Sequence, residues 1–146
     1  MLRFVAAVAA LAIGATIVYA QNAAVIKERQ STMKAMGDAA ELPSHMVKGE
    51  APFDLAAAQK AFKTIEEGAA KAKGLFPDDS KTGAETWALP KIWDNKADVM
   101  DRLDKVAATA NSVQSEIKDK RSLAGALSKL GNACNGCHDT YRRPEN

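Results

Sequence analysis

An all-α domain of four helices is predicted by three observations. Alanine, lysine, glutamate and leucine dominate the chain, β-branched runs are absent after residue 20, and apolar residues recur at spacings of three and four.

The first 20 residues stand apart. Met1-Leu2-Arg3 is a short basic start, and Phe4 to Val18 is an uncharged run of apolar and small residues. That run is short for a membrane span of about 20 residues. Val18-Tyr19-Ala20 supplies the small or uncharged side chains that a signal peptidase reads. The expectation is a signal peptide over residues 1–20, cleaved after Ala20, with export to the bacterial periplasm. Residues 21–146 are then a single domain that is not membrane-embedded, and 146 less 20 leaves 126 residues, a length suited to one core. Removing Arg3 leaves 19 basic against 18 acidic residues, a net charge of +1. So even a balance carries no footprint for nucleic acid or an anionic membrane surface.

The first helix is expected from about Asn22 to Glu41, stopped by Pro43, with Ile26, Met33, Met36 and Ala40 on one face. The second is expected to begin around Pro52 and end at Gly74, with a stripe of Phe53, Ala57, Ala61, Ile65 and Ala69. Turn formers from Phe76 to Gly83 then predict a crossing loop up to Pro90, in which Leu75 and Trp87 are candidates to cover one end of the domain. Pro90 opens a third helix with the stripe Trp93, Met100, Leu103, Ala107, Ala110 and Ile117. The fourth starts near Asp119 and ends before Pro144. Its stripe of Leu123, Leu127, Leu130 and Cys134 continues through Cys137 or His138 to Tyr141.

The chemistry is concentrated in Cys134-Asn135-Gly136-Cys137-His138, which contains both cysteines of the chain. In an oxidising compartment an idle pair of thiols is not expected, and a disulfide closing so short a loop would restrain the unfolded chain little. On a helix, residues three apart stand on one face, so two thiols can reach two vinyl groups while the adjoining imidazole sits under the iron. This pattern points to one haem c held through two thioethers, with His138 as an iron ligand. A dithiol oxidoreductase would carry Cys-x-x-Cys at a helix start near a βαβ unit. A zinc site would need a fourth ligand, and His45, the only other histidine, is expected alone in a solvated loop after Pro43.

The run Lys27 to Lys34, the junction Lys48-Gly49-Glu50-Ala51-Pro52-Phe53-Asp54, Pro90-Lys91-Ile92-Trp93 and Cys137-His138-Asp139-Thr140-Tyr141-Arg142 accompany this carboxyl-terminal motif. In these marks the chain resembles the class II c-type cytochromes, which include the cytochromes c-prime and the low-spin cytochrome c-556 group. The resemblance implies an antiparallel four-helix bundle enclosing one covalently attached haem c. It also makes Met33 the position facing the iron opposite His138. Read from periodicity alone, Met33 is either core filler or a ligand within reach of the fourth helix. With Met33 bonded, the resemblance implies a one-electron carrier rather than an enzyme; by position along the helices Met36 is the fallback ligand, and Met46 and Met100 are expected in a loop and in the core. With the iron five-coordinate, it implies a c-prime-type protein binding nitric oxide or carbon monoxide. It further implies Arg142 beside the proximal histidine, Arg29 and Gln30 near a haem propionate or else on the solvated surface, redox proteins of unknown identity as partners, and either a monomer or a homodimer.

Overall fold

The computed structural model describes the backbone of residues 2–144 and the side chains of residues 22–144. The expected signal peptide and its cleavage after Ala20 fall outside the residues whose side chains are described. Four long helices form the body: α1 (Leu2–Lys48), α2 (Leu55–Ala72), α4 (Lys96–Gln114) and α5 (Lys120–Tyr141), with a single-turn helix α3 (Lys91–Asp94) before α4. Helix α2 packs on α1 and α4, and α5 packs on α4 and α1. Short connections after α1 and α4 make these pairs antiparallel neighbours in a four-helix bundle. Among the described residues no strand is present and no helix is long and apolar enough to cross a membrane.

Pro43 does not stop the first helix, which runs on to Lys48. A proline inside a helix loses a backbone hydrogen bond, a cost of about 3 kcal/mol in a solvated setting. Here the ring is fully buried, and Ser44 Oγ donates to the Ala40 carbonyl at 2.8 Å in the turn that proline disturbs. The helix ends instead at Gly49, with φ of +82°, where Gly49 N–H donates to the Met46 carbonyl and Glu50 N–H to the His45 carbonyl. His45 is therefore in the last helical turn rather than a loop, exposed, with Nδ1 2.5 Å from Glu50 Oε2. Met46, expected in that loop, is a core residue at 2% exposure.

Helix α2 starts later than Pro52 because Asp54 caps it, Oδ1 accepting from Ala57 N–H at 2.9 Å. Its buried stripe is Ala58, Phe62, Ile65, Ala69 and Ala72, one position on from much of the predicted face, while Phe53 is exposed. The third predicted helix is broken at Asn95 (φ −132°, ψ 39°), whose side chain closes α3 on the Lys91 carbonyl at 2.9 Å. Val99, Leu103, Val106, Ala110 and Val113 then face inward from α4, so Met100 and Ala107 lie beside the buried face rather than at its centre. Helix α5 opens with a reciprocal cap: Asp119 Oδ1 accepts from Ser122 N–H at 2.7 Å, and Ser122 Oγ accepts from Asp119 N–H at 3.0 Å.

Two apolar clusters fill the bundle. The larger runs through Met46, Phe62, Ile65, Val113, Leu123 and Leu130, with Met36 and Cys134 packed against it. The smaller comprises Ala72, Phe76, Ile92, Trp93, Val99, Leu103 and Tyr141, with Met33 and Cys137 against it. The two cysteines thus touch different clusters, and the smaller cluster borders the site.

Candidate haem site

A cavity of about 580 Å³ opens beside the smaller cluster. Cofactor sites are typically about 300–1,000 Å³ and mainly apolar with a few placed polar groups. Helix α1 contributes Arg29, Met33 and Gly37, spaced one turn apart, with Gln30 and Lys34 alongside. Helix α5 contributes Cys137, His138, Tyr141 and the following Arg142, while Ile92, Val99 and Leu103 form the apolar wall. Thr86, Trp87 and Ala88 close one side. Three cations, Arg29, Lys34 and Arg142, line the cavity together with no acidic residue. An apolar chamber with a cationic margin suits a flat macrocycle bearing two carboxylates.

Of the residues singled out in the sequence, Arg29, Gln30, Met33, Cys137, His138 and Arg142 meet in this one cavity. Cys134 does not line it; it lies half-buried one turn earlier on α5. Met36, the fallback ligand, points elsewhere, packing against the larger cluster and against Gly68 of α2. His45 lies outside the cavity as well. Burial pushes both thiols above the usual range, an effect that the Arg102 charge opposes at Cys137. Dithiol exchange relies on lowered thiol pKa values, the opposite of the direction at both sulfurs here.

Arg29 is buried, not solvated. Its Nη1 donates to the Leu75 carbonyl at 2.9 Å and Ser80 Oγ at 3.2 Å, and its Nη2 to the Ser80 carbonyl at 3.4 Å and Thr86 Oγ1 at 3.2 Å. The guanidinium also lies 5.0 Å from the Phe76 ring centroid and 5.5 Å from that of Trp93. It is a clamp on the crossing segment, and burial lowers its pKa. Gln30 is exposed, with Nε2 donating to the Glu85 carbonyl at 2.9 Å on the same segment.

The far end of that segment is pinned to α5: Leu89 N–H donates to the Tyr141 carbonyl at 3.0 Å and Arg143 N–H to the Trp87 carbonyl at 2.8 Å. Trp87, 43% exposed, lies along the cavity with Arg142 5.3 Å above its ring, so it does act as a cover. Leu75 is buried and offers its carbonyl to Arg29.

Sequence reasoning missed Asp98 and Arg102. They stand one turn apart on α4, and Arg102 Nε donates to Asp98 Oδ2 at 2.7 Å. Tyr141 Oη donates to the same carboxylate oxygen at 2.6 Å, and Arg102 Nη1 donates to the Gly136 carbonyl inside the motif. A four-residue charge spacing was visible, but its direction toward α5 was not.

Residues 24–142 match the family model described as Cytochrome C'. The chain belongs to this family. Cytochrome c′ of Rhodopseudomonas palustris is 44% identical over 118 residues, 81% of each chain. Cytochrome c-556 of the same organism is 34% identical over 149 residues, 99% of each. A solved structure of R. palustris cytochrome c′ superposes with a TM-score of 0.80 at 43% identity, covering 84% of this chain and 98% of that one. Membership in the cytochrome c′ family, and with it in the class II c-type cytochromes, carries the four-helix bundle and one covalently bound haem c. The cationic, apolar cavity beside Cys137 and His138 fits that group.

Proposed function

We propose that the protein is an exported one-electron carrier in which Cys134 and Cys137 hold haem c through thioethers, His138 ligates the iron and Met33 ligates it from the opposite side. The observation that carries this reading is the meeting of a thioether from α1 and an imidazole from α5 in one apolar cavity. A bound haem c supplies the one-electron couple. The chain's own contribution is to present nitrogen and sulfur ligands, exclude water with Phe76, Ile92, Val99 and Leu103, and place Arg142 at the cavity margin for a carboxylate; Arg29 is engaged with the crossing segment and Lys34 with Asp38. With Met33 and His138 both supplied as ligands, a bound haem c would be left without a site for exogenous gas and would have a raised potential. Export and cleavage after Ala20 belong to the same proposal, and the mass of the protein recovered from the periplasm tests them.

A second reading has an observation in its favour: the match to cytochrome c′ of R. palustris is stronger, at 44%, than the match to its cytochrome c-556, at 34%. In that reading Met33 is packing, and the iron face beside it takes up nitric oxide or carbon monoxide.

Substitution at two methionines separates the readings. Met33→Ala is expected to turn a low-spin iron high-spin and open the ferrous form to carbon monoxide, whereas Met36→Ala leaves the spectrum unchanged. If wild type and Met33→Ala take up carbon monoxide alike, the carrier reading fails.

A further inference from the structure

Arg102 reaches across from α4 to the stretch between the two attachment cysteines. Its Nη1 donates to the Gly136 carbonyl, its Nε donates to Asp98 Oδ2 at 2.7 Å, and its guanidinium lies 5.4 Å from the Tyr141 ring centroid. Asp98 is held from the other side by Tyr141 Oη at 2.6 Å. The Arg102 side chain is about one-third exposed and that of Asp98 nearly half, but both are anchored on Tyr141, which is buried. Tyr141 itself lines the cavity, three residues after His138.

We infer that Arg102 is a positioning residue for the iron site: with Asp98 and Tyr141 it fixes the Gly136–Cys137 peptide, and through it the plane of the His138 ring, and it biases the one-electron couple. This rests on His138 being the proximal ligand. The physical case has two parts. A charged donor on a main-chain carbonyl is stronger than a neutral one and directional, so the peptide that precedes Cys137 is fixed against α4 as well as within α5. The charge also acts at a distance. A cation beside the site disfavours the ferric state, which carries one more positive charge than the ferrous, and an anion favours it. Asp98 and Arg102 oppose one another, so the native pair is close to balanced and each single loss unbalances it in its own direction. The reaction read by the test would be transfer of one electron from a reduced mediator dye, which is oxidised, to the ferric haem.

The test uses the haem-loaded protein equilibrated with a redox mediator. Arg102→Leu is expected to shift the electron-exchange equilibrium toward ferric by about threefold, as for a partly screened unit charge, and Asp98→Asn toward ferrous by a similar factor. The double variant should return close to wild type in potential. Its ferric electron paramagnetic resonance g-values should stay displaced, because the Gly136 contact is still missing. Arg102→Lys, which keeps the charge but not the two-pronged donor, should hold the potential and move the g-values. Tyr141→Phe keeps the ring but removes the hydroxyl that holds Asp98, so it should displace the g-values in the same direction as Arg102→Lys, by a smaller amount. Equal g-values in wild type and in folded Arg102→Leu and Arg102→Lys, or potential shifts of the same sign in Arg102→Leu and Asp98→Asn, would overturn the proposal. A wild-type protein with no imidazole nitrogen coupling at the iron would instead defeat the His138 assignment, before any variant is made.

Discussion

At Arg29 a guanidinium sits at 3% exposure and serves acceptors on Leu75, Ser80 and Thr86, far along the chain from α1. Lysine could not replace it, because an ammonium lacks the planar fork that reaches several acceptors at once. Arg29→Lys is expected to destabilise the protein by about 1–3 kcal/mol through buried acceptors left unpaired. It should also raise amide hydrogen exchange selectively over residues 75–89; exchange that stays at the wild-type level there would refute the clamp. The sequence made Arg29 visible as a residue one turn before Met33, but not its burial, because charged residues on helices are mostly exposed. The cysteine and histidine motif was legible in full, since its chemistry depends on local spacing along one helix. The Arg102 contact was not, because it joins residues 34 positions apart.

At the scale of the elements, the α1–α2 contact is set by a glycine. A Cβ on Gly68 would lie 2.5 Å from Met36 Cγ and 2.9 Å from its sulfur, so Gly68→Ala should drive the partly buried Met36 side chain to another rotamer, at an overpacking cost toward the low end of roughly 1–3 kcal/mol. Phe62→Ala, at a fully buried position of α2, should cost about 3–5 kcal/mol in urea unfolding. The start of α5 adds a pH dependence. Hydrogen bonding from Ser122, its backbone N–H first, holds the Asp119 carboxyl below the ordinary carboxylate range. A lowered folded-state pKa gives stability that is fully present above the unfolded value of about 3.9 and lost as pH falls through the folded value. Asp119→Asn retains a capping oxygen without titrating, so its thermal midpoint should fall less steeply than that of wild type as pH drops below about 4; parallel profiles would contradict the assignment. The four long helices and their order were legible in the sequence because loop residues are local signals, whereas the break at Asn95 and the Asp54 cap were not foreseen. The buried face of α2 was displaced because alanines at 56, 57, 58 and 61 give a stripe of low contrast, in which Phe62 marks the inward side. Pro43 misled because its ring is buried, a property that tertiary packing decides.

For the whole molecule, the bundle divides its interior between a close-packed half around Phe62 and Leu123 and a half that surrounds a cavity of about 580 Å³. Helix α5 spans both, with Cys134 against the packed half and Cys137 against the cavity cluster. The first half supplies stability while the second receives the haem c that the family carries, and the segment held by Arg29, Trp87 and the end of α5 closes the side. Fold and cofactor follow from family membership, and the proposal that remains to be tested is the pair of protein ligands, His138 on α5 and Met33 on α1. Near-infrared magnetic circular dichroism of the ferric wild-type protein at neutral pH tests that most directly. A low-spin iron with the weak long-wavelength charge-transfer band of a sulfur-to-iron bond is expected; a high-spin ferric spectrum without that band would rule out Met33 ligation.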